Sequence, residues 1–205
     1  MSRIDRLLEI AGPPLTAAAP EPLDWPTPLG TELTALLARA NGFYAFESAL
    51  HVRPSGGGGQ DLADWNEQTL WRDAYGGLAD GLLFFAEDVF GGQFALASGG
   101  VVAFNPETGE RTATANSLES WAATVLADYQ FQTGYPLAHQ WQQRHGALPP
   151  GQRLLPKRPF VLGGKYEMDN LYPLDAVQGM RLRGELAVQI RDLPDGATIR
   201  FNIVE

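Results

Sequence analysis

Two periods of apolar residues divide this chain. Spacing of three to four predicts amphipathic helices, and alternation or short unbroken runs predict strands. Ser2 caps a short first helix with Ile4, Leu7 and Leu8 on one stripe, ended by Gly12-Pro13-Pro14. Six prolines between residues 13 and 28 predict a stiff connector. Thr31 then caps a second helix, with Leu33, Leu36, Leu37 and Ala40 on one face and Asn41-Gly42 as its stop. A strand is expected near Ala49 to Val52, and a third helix from Asp61 to Tyr75 after the glycine run Gly56 to Gly59. Between Leu82 and Asn105 the apolar runs Leu82–Phe85, Gln93–Ala97 and Val101–Phe104 are separated by Gly91-Gly92 and Gly99-Gly100. That is the pattern of a tight meander, and Arg111 to Ala115 extends it.

The clearest helix follows, capped at Asn116 or Ser117, with Leu118, Trp121, Ala122, Val125, Leu126 and Tyr129 sharing a face. Pro136 starts another helix, closed by Gly146. From Ala147 the composition turns proline-rich and locally basic, which reads as a linker or wrap-around arm. Pro159 to Leu162 looks strand-like, Leu174 to Asp192 helical, and Thr198 to Val204 alternates as a last strand. Connections in the meander are too short for crossovers, so its strands must be antiparallel. The fold class is therefore α+β: a single central, mostly antiparallel sheet flanked by helices, with a C-terminal helix-strand extension. The expected division is a core over residues 1–146 and an extension over 147–205 packed on it.

A length of 205 residues is enough to bury about 70% of the unfolded surface in one core. No run of apolar residues reaches membrane-spanning length, and the N-terminus lacks a signal-peptide pattern. With no cysteine there are no disulfides and no thiolate ligands, which fits a cytoplasmic protein. The net charge of −9 argues against direct nucleic-acid binding and suits a basic protein partner.

Candidate chemistry is sparse. Glu87-Asp88 places two carboxylates beside glycines, but neighbours on a strand point to opposite faces, and the alternating ligands of a hard-cation loop are missing. His51, His139 and His145 have no zinc-motif spacing. Gly56 to Gly59 is followed by Gln60-Asp61, and Gly163-Gly164 by Lys165-Tyr166; neither is a phosphate loop. No nucleophile motif is present. Neither catalytic, metal-binding nor cofactor-binding residues are assigned. Of five tryptophans, Trp25 and Trp65 are placed on the surface and the others in the core.

Several segments taken in order resemble the SUKH superfamily, the Smi/Knr-type cell-wall-synthesis regulators and their bacterial relatives. They are Leu29-Gly30 opening a helix that ends at Asn41-Gly42, then Trp65 and Trp71, FAEDVFGGQFAL at Phe85 to Leu96, Asn105-Pro106-Glu107-Thr108-Gly109, and the helix start Ser117 to Trp121. The resemblance covers roughly Trp25 to Trp141. It implies a sheet flanked by helices and a non-enzymatic role, in bacteria an immunity protein that occludes a polymorphic toxin such as a nuclease or deaminase. Asp61, Trp65, Glu87, Asp88 and Phe90 are the expected partner surface. The alternatives are a glycan binder that uses exposed tryptophans, a regulatory hub, and a hydrolase with dispersed carboxylates, which needs Glu87 or Asp88 in a pocket beside another acid or a histidine.

Overall fold

The computed structural model describes residues 1–25, 28–57, 60–194 and 196–197. Its centre is a six-stranded antiparallel meander in sequence order, β1 (Phe43–Ala45), β2 (Leu50–Val52), β3 (Leu83–Asp88), β4 (Gln93–Ala97), β5 (Gly100–Phe104) and β6 (Arg111–Ala115). Strand β3 reads as a continuous apolar run because both its faces are covered. Phe85 packs on one face with α2 (Pro28–Arg39) and α4 (Leu118–Ala127); its ring meets Trp121 edge-on at 5.0 Å. Phe84, on the other face, joins a second cluster with Trp65, Trp71, Tyr75 and Phe104. A register shift between Phe84 and Ala86 bends the strand.

The first-face helices follow from their sequences. Ser2 forms a capping box with Asp5 at the start of α1 (Arg3–Glu9), and Ser117 forms one with Ser120 at the start of α4. Helix α2 begins at Pro28 rather than Thr31. Proline needs no donor at a first helical position, and Gly30 lets Trp25 approach where a Cβ would come within 2.8 Å of it. Downstream, α5 (Tyr129–Thr133) and α6 (Tyr135–His145) turn through Gly134, whose φ is 70°.

The long third helix does not form. Asp61 caps only α3 (Leu62–Asn66), and a 3-10 turn covers Arg72–Tyr75. Asn66 explains the break: its side chain donates to Leu62 O and Phe84 O and accepts from Phe84 N, tying this end of α3 to β3.

The segment read as a linker is ordered. Residues β7 (Gln152–Pro156) and β8 (Leu171–Asp175) form a separate two-stranded antiparallel sheet, followed by α7 (Ala176–Ile190). Phe160–Leu162 is a 3-10 turn, not a strand. Leu154 N–H donates to Val89 O at 2.8 Å, and α7 packs against the Arg72–Tyr75 turn, where Gly184 admits the Tyr75 ring. Residues 152–190 thus roof the second face of the meander. The strand expected at Thr198 to Val204 lies outside the described residues.

At Gly134 the left-handed backbone and the crowding coincide, because an added Cβ would sit 2.4 Å from the Phe90 ring and 2.9 Å from Val89. Gly134→Ala is expected to lower stability by about 2 kcal/mol, from the left-handed penalty and the displaced ring together. Urea unfolding measures it, and a change below about 0.5 kcal/mol would contradict this packing.

Candidate functional site

The β-register brings a row of polar side chains together under the roof. Tyr44 lies opposite His51, His51 opposite Glu87, and Glu87 opposite Gln93, so the four share one face across β1 to β4. The Tyr44 and His51 rings stack at 4.5 Å. Arg53, two residues beyond His51, joins the same face, and β7 supplies Arg153 from above.

Glu87 is the hub. Its Oε1 lies 2.9 Å from Arg53 Nη2, 2.8 Å from Arg153 Nη2 and 3.0 Å from His51 Nδ1, and its Oε2 accepts from Gln93 Nε2 at 3.0 Å. Gln93 Oε1 accepts in turn from Trp65 Nε1 at 2.9 Å, and the Arg53 guanidinium lies 3.3 Å over the Trp65 ring. Three donors crowd one oxygen, so the two guanidiniums are ion-paired without aligned hydrogen bonds; among the described residues Nε and Nη2 of both have no hydrogen-bond partner. Arg53, Arg153 and Glu87 are each only 1% exposed.

Burial alone would push the Glu87 carboxyl up, but the Arg153 and Arg53 charges and the His51 hydrogen bond outweigh it and hold it well below the carboxylate range. Burial pushes His51 down to about 4, so at neutral pH it is an uncharged donor to Glu87. Burial also lowers Arg53, to about 10, which leaves it charged. The Glu87 cluster therefore sets two guanidiniums against one carboxylate.

Asp88 has different surroundings. Its Oδ1 accepts from Phe90 N and Gly92 N, both at 2.8 Å, closing the β3–β4 turn. Burial raises its carboxyl to about 7 against those two hydrogen bonds; the Arg183 charge lowers it and the Glu87 charge raises it. It lines an open groove of about 790 Å³ between the β3–β4 turn, the Asn105–Gly109 turn, the α5–α6 corner and the 160–166 loop. Phe160 and Tyr166 stack at 3.8 Å, and Phe90 meets both edge-on at 5.7 and 5.5 Å. Across the groove stands Phe131, 79% exposed, while Tyr166 is 66% exposed. Glu107 Oε2 accepts from Val161 N at 2.8 Å, and its Oε1 is buried without a partner among the described residues. Arg183 comes from α7, donates to Phe90 O and Gly179 O, and completes the charged lining with Glu110.

Of the residues expected at a partner surface, three are interior. Trp65 is fully buried because its indole fills the second core and bonds Gln93; Glu87 is enclosed by its cations; Asp61 spends its carboxylate on Ala63 N and Asp64 N as the α3 cap. Asp88 and Phe90 do reach the groove. Trp71, Trp121 and Trp141 are buried and Trp25 is half-buried, so the glycan reading loses the exposed Trp65 on which it leaned. Arg53, Arg153, Arg183, Glu107, Phe131 and Tyr166 were not among the residues the sequence assigned to a site. Only His51-x-Arg53 carried a signal, a period-two polar pair inside a buried strand. Among the described residues no group of three or more His, Asp or Glu is placed to hold a metal, and no helix is long and apolar enough to cross a membrane.

No family model and no curated protein matches the chain. Solved structures do, among them the crystal structure of Atu4351 from Agrobacterium tumefaciens. It is 15% identical with a TM-score of 0.55, over 87% of this chain and 86% of that one. The likeness is one of fold.

Proposed function

We propose that this chain is a non-enzymatic protein-binding module of the bacterial cytosol, an immunity protein that neutralises a basic toxin domain by occluding it, as the resemblance to the SUKH superfamily implies. The observation that carries the reading is the groove: two exposed aromatics, Phe131 and Tyr166, flank a lining in which Asp88, Glu107 and Glu110 oppose Arg183 alone. Aromatic side chains beside a pocket are the residues that dominate interface energetics. A net charge of −9 speeds the approach of a basic partner. The Glu87 cluster is the buried support of this face, since it fixes the strand end from which Asp88 and Phe90 project.

The test is protection. A toxin domain encoded beside this gene should form a stable complex with the protein and lose its toxicity. Phe131→Ala and Tyr166→Ala should each weaken the complex at least tenfold by calorimetry. If no neighbouring toxin is bound or neutralised, the reading fails; if the complex forms but ignores both substitutions, the groove is not its interface.

A further inference from the structure

Carboxylate oxygens accept hydrogen bonds and cannot donate them. Within the groove, Asp88 Oδ1 serves two backbone N–H groups, but Oδ2 has no hydrogen bond among the described residues. Glu107 is 3% exposed, and its Oε1 is buried with no hydrogen-bond partner among the described residues, so its carboxylate is poorly screened. Arg183 does not answer this demand, because its guanidinium is turned to Phe90 O, Gly179 O and the Met180 sulfur. The lining therefore calls for an occupant that donates, carries positive charge and offers a flat face to Tyr166 and Phe131. A guanidinium meets all three requirements: it has five N–H donors and no acceptor, pairs with carboxylates side-on and stacks on aromatic rings. An ammonium is a point charge with no face to stack. A sugar hydroxyl both donates and accepts and gains nothing from the excess negative charge.

We infer that the groove is an arginine socket, in which a partner's arginine stacks against Tyr166 and pairs with Oδ2 of Asp88 under the added negative potential of Glu107. This rests on the protein-binding reading above and specifies the side chain that the partner presents.

The socket carries its own pH signature. The groups facing Asp88 are Glu87 from its own strand, Glu107 from the Asn105–Gly109 turn, Tyr166 from the 160–166 loop and Arg183 from α7. Tyr166 is raised by burial and by the Asp88 and Glu107 charges and stays neutral. Asp88, near 7, is the group that changes charge between pH 6 and 8. Its ionised fraction falls about tenfold over that interval, and arginine binding should weaken by about the same factor from pH 8 to pH 6.

The experiment titrates the full chain with acetyl-Gly-Arg-Gly-amide, its citrulline counterpart, its lysine counterpart and a neutral oligosaccharide, following chemical shifts of the groove residues. The arginine peptide should bind, the citrulline peptide at least tenfold more weakly and the lysine peptide in between. Asp88→Asn should abolish the preference for arginine over citrulline. Asparagine keeps an oxygen for Phe90 N and Gly92 N, so the turn survives, and unchanged thermal unfolding of this variant at pH 4, where Asp88 is protonated in the folded protein, checks that. Equal binding of arginine and citrulline, an undiminished preference in Asp88→Asn, or binding of the oligosaccharide alone would each overturn the socket. Toxin neutralisation that survives Asp88→Asn overturns the socket and leaves the protein-binding reading standing; peptide binding without any toxin partner does the reverse.

Discussion

Replacing Glu87 by glutamine is expected to destabilise the fold by about 3–5 kcal/mol, the range found when one partner of a buried ion pair is removed. The residue sits where β2, β3, β4 and β7 converge, and its single charge faces two guanidiniums that are each 1% exposed. Glutamine preserves the volume and a hydrogen bond to Gln93 but leaves both cations without a counter-ion in the interior. For a chain of this length the melting temperature should drop by roughly 10 °C. Arg153→Met should cost much less, about 1–2 kcal/mol, since it leaves Arg53 and Glu87 as a matched pair and removes the surplus cation. The two substitutions should also be non-additive: losing Glu87 should hurt less in the Arg153→Met background, because one fewer buried cation is then orphaned. Additive costs, or Glu87→Gln within 1 kcal/mol of the parent, would show that the cluster is hydrated rather than dry.

The same geometry says what residues 152–190 are for. Arg153 reaches from β7 into the polar row, Leu154 N–H bonds Val89 O, and Arg183 from α7 bonds Phe90 O. All three contacts converge on the end of β3 and the turn after it. A roof placed there fixes the direction of Asp88 and Phe90 and contributes Phe160 and Tyr166 to the groove wall. The meander alone would lack the wall made by Phe160 and Tyr166 and the charges of Arg153 and Arg183.

Strands β3 to β6 were legible because their signals are local: apolar runs of strand length, Gly91-Gly92 and Gly99-Gly100 as breaks, and connections too short to cross over; β1 (Phe43–Ala45) was not expected as a strand. Ser2 and Ser117 announced their helices in the same way. The β7–β8 hairpin was not legible. Pro149, Pro150, Pro156, Pro159 and Pro173 give its surroundings the composition of a linker, and its strands are joined by residues 157–170 rather than by a tight turn. Asp61 to Tyr75 read as one helix because its apolar spacing is helical, whereas the side chain of Asn66 decides the break through contacts to a strand that follows it in sequence. The site was the least legible part. Glu87 and Asp88 stood out as an acidic pair, but whether they meet water or cations depends on strand register and on Arg153, 66 residues away in the chain. Register put His51, Glu87 and Gln93 in one row, and no local pattern encodes that alignment.

The pH dependence of stability offers the other large effect, because two buried groups oppose one another. His51 falls to about 4 in the folded protein from an unfolded value near 6.5. Its folded pKa is depressed, so the unfolded state binds the extra proton, and stability is lost as pH falls from about 6.5 to 4. Asp88 rises to about 7 from 3.8, so the folded state binds the extra proton and stability is lost as pH rises from about 4 to 7. The His51 contribution amounts to about 3 kcal/mol and that of half-buried Asp88, discounted for screening, to about the same. Their slopes cancel across much of that interval, so the parent protein should show a nearly flat profile between pH 4.5 and 6.5. Asp88→Asn removes the falling limb: relative to the parent it should gain about 3 kcal/mol at pH 8 and nothing at pH 4, leaving stability that climbs with pH. His51→Gln keeps a donor for Glu87 and removes the rising limb, leaving stability that declines from pH 4.5 to 7. Urea titrations of the three proteins across this range separate the limbs. Parallel profiles for parent and Asp88→Asn would mean that Asp88 is ionised throughout like an ordinary carboxylate.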